Sequence, residues 1–450
     1  MALRWTNGTG NVAARPSELA EPRSVEQVVD TVGRARSERR AVRVIGAGAA
    51  WSPLATTDGC LLSLKRLRSI RQVDTQARRI TVEAGADLLE VVETAAQHGM
   101  SVMSPSMYLG LSVGGLIATG SHGTGRRSAT VGDAAVAMEL VTAAGEVRRL
   151  DPSHGELWRA AITSVGTLGV VTAVTLQCEP LYNVLESHLE VPVGEVPSVL
   201  PTVLREHEFV SLFWYPSART ALFKLGNRTE LPAGPVNGGV RPNPVQRSTK
   251  WIGPLMAPLA ARVPALAEPV WALMRFFLGT PGKVLPEPQF AHYQQVYPPV
   301  ISAEHGIPVE HASEAWQWLS TRLQAYWQCG LRPIDMVVHA RFTGPSRALL
   351  ASAADRATCH LEVLSHAGNR QRPLFLPEFD EKMRSAFDGR PHWGKELVDP
   401  SRIAACHGNN VDRFLEVRQD LDPEQRFMNP LLRDQVFGLA RRRRVTESMA

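Results

Sequence analysis

Cysteine is scarce and unpatterned. The five cysteines, Cys60, Cys178, Cys329, Cys359 and Cys406, are odd in number, and no two share a CxxC or metal-ligand spacing. A disulfide framework and a cysteine-based metal module are therefore not expected, and a reduced, cytoplasmic compartment fits best. Long apolar runs are missing too. No stretch of about 18 apolar residues occurs, so no membrane span is expected. The richest stretch, residues 251–278, is broken by Pro254, Pro258, Pro264, Pro269 and by charges. Residues 1–8 lack the apolar region of a signal peptide. A basic body is also absent. The net charge is +5, but residues 441–444 are all arginine, which leaves +1 for the rest. A nucleic-acid partner is therefore not expected. The arginine run reads as a solvated tail, with a polyanion or partner contact as the alternative. No internal repeat or low-complexity tract is visible.

What is present suits a globular chain. Its 450 residues are 44% hydrophobic and 21% charged, enough for two domains, each with its own core. The first 180 residues alternate between strand and helix patterns. Val25, Val28, Val29 and Val32 have helical spacing, with Ser24 placed to cap them. Strands are expected at 41–45, 61–64, 79–83 and 170–176, and a hairpin over 135–150 turns at Ala144-Gly145. A helix over 88–98 stops at Gly99. Residues 230–300 are rich in Pro and Gly and read as a variable insertion or lid rather than core sheet. A helix over 312–323, strands at 335–342 and 360–364, and a helical tail from Pro400 to Leu421 follow.

Two glycine clusters stand out. Gly46-Ala47-Gly48-Ala49-Ala50-Trp51-Ser52-Pro53 begins like a dinucleotide fingerprint, but Trp51 replaces the third glycine and Pro53 interrupts a following helix. A strand-to-loop turn without ligand explains this segment equally well. The second cluster, from Gly114 to Gly125, packs five glycines among small hydroxyl residues. Such backbone can approach a phosphate, with Ser121 and Thr124 as further donors. Tight turns are the alternative. His122 has no second metal ligand near it in sequence, so it reads as a loop-orienting or cofactor-side residue, and no metal is expected.

The order of these motifs carries a resemblance. The Gly46 loop, Thr56-Thr57-Asp58-Gly59, Gly120-Ser121-His122-Gly123-Thr124-Gly125 and the segment from Gly166 to Thr172 together resemble the FAD domain of the vanillyl-alcohol-oxidase superfamily, the PCMH type. Arg390-Pro391-His392-Trp393-Gly394-Lys395, Leu421-Asp422-Pro423 and Phe427-Met428-Asn429-Pro430 are similar to its aldonolactone and alditol oxidases, such as gulonolactone oxidase. The resemblance covers nearly the whole chain and is weakest between 200 and 300. It implies an α+β fold: a two-subdomain FAD domain over 1–178, a cap over 179–404 with an antiparallel sheet flanked by helices, and a segment over 405–450 returning to the FAD domain. It implies that FAD is held by Gly46, Ala47, Gly48, Ala49, Ala50, Ser112, Gly115 and the loop from Gly120 to Gly125. Gly169 and Val171 would line the adenine and ribose end.

Three departures follow from the same comparison. Covalent members have a flavin-bonding histidine where this chain has Ala49, and usually serine where it has Ala50. FAD is therefore expected to be non-covalent and a weaker oxidant. The family's Glu-x-Arg becomes His339-Ala340-Arg341, so an imidazole replaces a carboxylate. His339 could be a general base or a cap-strand histidine satisfied by a neighbour. Ser106 falls where small residues control oxygen access, and Met107 replaces a hydroxyl residue, which makes the pocket more apolar or serves loop packing. His360 matches an active-site histidine. Lys395 matches the lysine near flavin N1, where a cation favours the anionic reduced flavin. A structural histidine and a surface lysine are the bland alternatives.

The expected function is FAD-dependent oxidation of a small molecule, an alcohol or secondary-metabolite intermediate, with Arg341 polarising the substrate oxygen and His339 or His360 taking the proton. A second reading is a non-redox cyclase that keeps FAD as a structural part. The histidine lost at position 49, the Glu lost at position 339 and the apolar insertion at 251–278 permit it.

Overall fold

The computed structural model describes residues 3–103, 106–234, 281–291 and 300–439, with positions 269 and 272. The apolar stretch 251–278, apart from those two positions, and the arginine run 441–444 lie outside the described residues. The fold is α+β, as expected.

The FAD domain has two parts. In the first, strands Glu18–Ala20, Cys60–Ser63 and Val42–Ile45 form a parallel sheet with the Cys60 strand in the centre. Helix Val25–Ser37 buries Val28, Val32 and Ala35 against it, and Ser24 caps its start by accepting from the Gln27 amide. In the second part, six strands form an antiparallel sheet with Val170–Pro180 in the interior. That strand pairs with Arg79–Glu83, Ala135–Val141 and, at its far end, Met100–Val102. This strand spans the expected boundary at residue 178. Helix Leu88–Gln97 ends before Gly99, whose φ of 70° suits glycine.

The cap is one antiparallel sheet of eight strands. Their order is Val284–Pro286, Asn183–Pro192, Thr220–Thr229, Phe209–Trp214, Val338–Thr343, Thr358–His366, Val300–Pro308 and Arg390–Pro391. Strand side chains alternate between faces. One set, including Leu212, Trp214, Val338, Ala340, Phe342, Leu361 and Val363, shares a core with the helices Val196–Glu206, Ala312–Gln328 and Leu376–Phe387. The opposite set includes Ser211, His339, Arg341, His360, Glu362 and Glu304, as the ladder register requires. Hydrogen bonds from this face to the FAD domain's 122–125 loop show that it looks inward.

Within the stretch 230–300, Val284–Pro286 adds an edge strand to the cap sheet and Glu287–Ala291 forms a short helix. Proline and glycine density hid a strand that depends on its partner for order.

The helix that follows the cap packs on the second subdomain. Val411 and Phe414, on helix Asn409–Leu421, join the core of the second subdomain. Buried Arg43 donates to the carbonyls of Leu54, Val165, Gly166 and Phe427, which ties three distant segments together. Asn429 donates to the carbonyls of Pro53, Leu54 and Thr56.

Candidate active site

The inward face of the cap carries a buried charge cluster. Arg341 donates from Nη2 to Glu304 Oε2 at 2.8 Å and to Glu362 Oε2 at 3.3 Å. Its Nη1 reaches the His122 carbonyl at 3.3 Å. Lys395 Nζ donates to Glu362 Oε1 and lies 3.7 Å from Glu304 Oε2. Two cations therefore face two carboxylates, and a buried charge is tolerable only in such company. Burial alone would raise both glutamates. The Arg341 charge, aided by the hydrogen bond from His122, overrides it at Glu304, and Lys395 does so at Glu362, so both are held well below the usual carboxylate range.

This changes the expectation about the missing carboxylate. Position 339 is an imidazole, but the ladder places Glu362 directly opposite it. Glu304 stands on the next strand, opposite Glu362. The negative charge beside Arg341 is supplied by neighbouring strands rather than by its own.

Four histidines surround the cluster. His122 Nε2 meets Glu304 Oε1 at 2.6 Å, and its ring stacks on His360 with centroids 3.4 Å apart. His360 Nε2 meets Thr343 Oγ1 at 3.0 Å, while its Nδ1 lies 3.6 Å from Glu304 Oε1. His392 Nδ1 accepts from the Gly394 amide. His339 stacks on Phe213, and its Nε2 has no hydrogen-bond partner among the described residues. Burial pushes all four down, His339 to about 4 and His392 to about 3. They are neutral at pH 7. The expectation that His122 has no second ligand nearby also changes, because the fold brings Glu304 and His392 within ligating range of it. Glu304 Oε2 is already held by Arg341.

The glycine loops fit a dinucleotide. Ala47 N donates to Ser112 Oγ at 3.2 Å, so the two loops touch. A Cβ at Gly46 would lie 1.8 Å from that hydroxyl, and one at Gly115 would lie 3.1 Å from it. Beyond this contact, the amides of Gly48, Ala49 and Ala50 have no hydrogen-bond partner among the described residues. Consecutive free amides are what an anionic phosphate needs. Gly120 has a φ of 62°, and the Ser121 hydroxyl is 3.1 Å from Thr119 Oγ1. The later part of that loop turns elsewhere. Thr124 Oγ1 donates to the Val210 carbonyl and Gly125 N to the Phe342 carbonyl, both on cap strands. The Thr124 hydroxyl is thus engaged in domain docking rather than free for a phosphate. Gly169 is required by packing, because a Cβ would lie 2.4 Å from the Val141 carbonyl. Half-buried Val171 follows on the adjoining strand.

The first loop also reaches the charge cluster. Trp51 N donates to the Gly394 carbonyl, Ser52 Oγ to the Trp393 carbonyl, and Lys395 Nζ lies 4.8 Å above the Trp51 ring. Arg341 also lines a cleft between the domains, together with Met103, Met107, Thr124, Phe209, Ser211, Tyr182, Phe290, Arg228 and Glu287. Ser106 is buried, with its hydroxyl 3.4 Å from the Tyr108 amide.

Two family descriptions match this chain: an FAD binding domain over residues 16–151 and D-arabinono-1,4-lactone oxidase over residues 174–435. The chain belongs to the D-arabinono-1,4-lactone oxidase family. It is an FAD-linked oxidoreductase of the aldonolactone and alditol oxidase type. L-gulono-1,4-lactone dehydrogenase of Mycobacterium tuberculosis is 29% identical over 439 residues, covering 96% of this chain and 99% of that protein. Alditol oxidase of a Streptomyces species is 28% identical over 449 residues, covering 97% and 100%. Among solved structures, a solvent-stable cholesterol oxidase matches with a TM-score of 0.79 at 18% identity, covering 97% of each chain. That similarity supports the shared fold.

Glu304, Glu362 and Glu287 escaped the sequence reading. The first two did leave a signal, a lone carboxylate inside each of the strands Val300–Pro308 and Thr358–His366, which are buried throughout. Charge is rarely placed there without a partner. Glu287 left none, because it lies in the Pro- and Gly-rich region.

Proposed function

We propose that this oxidoreductase binds FAD without a covalent bond and oxidises an alcohol of lower polarity than an aldonolactone. The observation that carries this reading is the joining of Arg341 and Lys395 through Glu304 and Glu362, on the cap face turned toward the glycine loops. Ala49 has no nucleophile and cannot form a flavin bond. Gly46, Gly48, Ala49, Ala50, Ser112 and Gly120 would hold the cofactor. When bound, FAD supplies a two-electron acceptor for the hydride on the alcohol carbon.

The chain's residues position the substrate and handle its proton. The Arg341 guanidinium, fixed by two carboxylates, donates to the substrate oxygen. His339 Nε2, neutral and unpaired, accepts the hydroxyl proton, and Glu362 Oε2 at 3.8 Å from Nδ1 stabilises the cation formed. A weak base suffices, because the hydroxyl becomes strongly acidic as the hydride leaves. His360 supports His122 from behind, and Lys395 supplies positive charge for the reduced cofactor. Retained carboxylates at the cluster remove one argument against a hydroxyl-rich substrate. Met107, Met103 and Phe209 remain as the argument for a less polar one. A secondary-metabolite intermediate fits that lining.

Anaerobic mixing of the FAD-loaded protein with a panel of alcohols should give one carbonyl product per flavin reduced. Turnover that leaves the flavin oxidised would overturn the reading in favour of a non-redox reaction.

A further inference from the structure

Among the described residues, the charged groups around the cleft pair off except for one. Arg127 binds Glu208 at 3.0 Å, and Arg228 binds Glu208 at 3.0 Å and Glu179 at 2.6 Å. Lys224 binds Glu186 at 2.6 Å. Arg341 and Lys395 are matched by Glu304 and Glu362. Glu287 is left over. It is 2% exposed, lines the cleft, accepts one hydrogen bond from the Ser101 hydroxyl, and has no cation within ion-pair distance among the described residues.

Its surroundings are aromatic, and two of the rings already carry a cation, Phe290 with Lys224 at 4.5 Å and Tyr182 with Arg228 at 3.8 Å, which leaves the Phe209 ring for a ligand. Phe290, one helical turn on, sits edge-to-face with Phe209 at 5.5 Å, and Phe209 stacks with Tyr182 at 6.3 Å. Gly226 makes room for this arrangement, since a Cβ there would lie 2.5 Å from the Phe290 ring. A carboxylate among aromatic rings recognises organic cations. Burial raises the Glu287 carboxyl to about 7. Without a cation the group is thus held near its titration point, and a cation would fix it as the anion.

We propose that Glu287 with Phe209 forms a subsite for an ammonium group, so that the substrate is an amino alcohol whose chain is apolar between its two ends and which is oxidised at its Arg341 end. This rests on the assignment of Arg341 as the anchor of the substrate oxygen. Arg341 is paired in register with Ser211, and Ser211 with Lys224, four residues before Arg228. Standard sheet spacings then put the two arginine backbones roughly 16 Å apart, room for an extended molecule.

The test is calorimetric titration of the FAD-loaded protein at pH 7.5 with matched pairs: 1-butanol and 4-amino-1-butanol, 1-hexanol and 6-amino-1-hexanol, 1-octanol and 8-amino-1-octanol. At least one amino alcohol should bind about tenfold or more tightly than its neutral partner, the effect of one desolvated charge pair. Glu287→Gln, which keeps an acceptor for Ser101, should bring that ratio close to one. Equal binding within every pair, no binding by any amino alcohol, or an unchanged ratio in Glu287→Gln would overturn the proposal. Anaerobic flavin bleaching, read on the same samples, separates the two assignments. Ammonium preference without bleaching would keep the subsite and overturn alcohol oxidation, and bleaching without preference would do the reverse.

Discussion

His339 and Glu362 face each other across the ladder between two cap strands, with Nδ1 3.8 Å from Oε2. The pair joins the Arg341 strand to the carboxylate that also holds Lys395. Its order along the chain is a detail, but its composition is not. His339→Glu would set a third carboxylate against Glu362, and like charges at that spacing disfavour joint ionisation. We expect it to lower the melting temperature, and the exchange His339→Glu with Glu362→His to recover part of the loss. A double-mutant cycle should give a coupling of about 1–3 kcal/mol. Additive effects would show that the two side chains do not act as a pair.

Arg341→Ala removes the donor proposed for the substrate oxygen and leaves Glu304 and Glu362 short of a cation. The rate of flavin bleaching should fall by about 100-fold or more, the scale of losing one preorganised donor. Bleaching at the wild-type rate would remove Arg341 from the site.

Arg43→Met tests the joint between the chain's end and the FAD domain. Four carbonyls lose their donor at once, at Leu54, Val165, Gly166 and Phe427. Denaturant unfolding should show a loss of about 3–5 kcal/mol, the range for breaking a buried charged network. A loss under about 1 kcal/mol would mean that the carbonyls find water instead.

The buried histidines predict acid sensitivity above the carboxylate range. Burial holds His339 at about 4 and His392 and His407 at about 3 in the folded protein. An unfolded histidine titrates near 6.5, so below that pH the unfolded state binds more protons and stability falls as pH falls. Each histidine costs about 2 kcal/mol between pH 7 and pH 5. Glu287, raised to about 7, binds its proton first in the folded state and offsets part of this loss. Melting temperature should therefore drop clearly from pH 7 to pH 5. A flat profile would contradict neutral burial of these rings.

Acid precipitation tests the absence of a flavin bond. Yellow colour should leave with the supernatant. Colour retained in the washed pellet would show a covalent attachment elsewhere in the chain.

Local features were legible in the sequence where local physics decides them. Ser24 caps its helix, Gly99 ends another, and the hairpin turns at Ala144-Gly145. The glycine loops were legible for the same reason, since close approach admits no Cβ at Gly46. The cluster around Arg341 was only half visible. Its cations lie in recognisable motifs, but Glu304 and Glu362 come from strands buried on both faces, where no alternation marks which side chains look inward. Their meaning depends on ladder register, which only the folded sheet supplies. Glu287 belongs to a segment that gains order by pairing Val284–Pro286 with a strand about 100 residues earlier.

The central claim is that the cluster serves hydride transfer from an alcohol carbon to bound FAD. Stopped-flow bleaching with an alcohol substrate, unlabelled and deuterated at the carbinol carbon, tests it most directly. The account predicts anaerobic bleaching in both cases, slowed several-fold by deuterium. Product formation with the flavin band unchanged, or bleaching indifferent to the label and to Arg341→Ala, would contradict it.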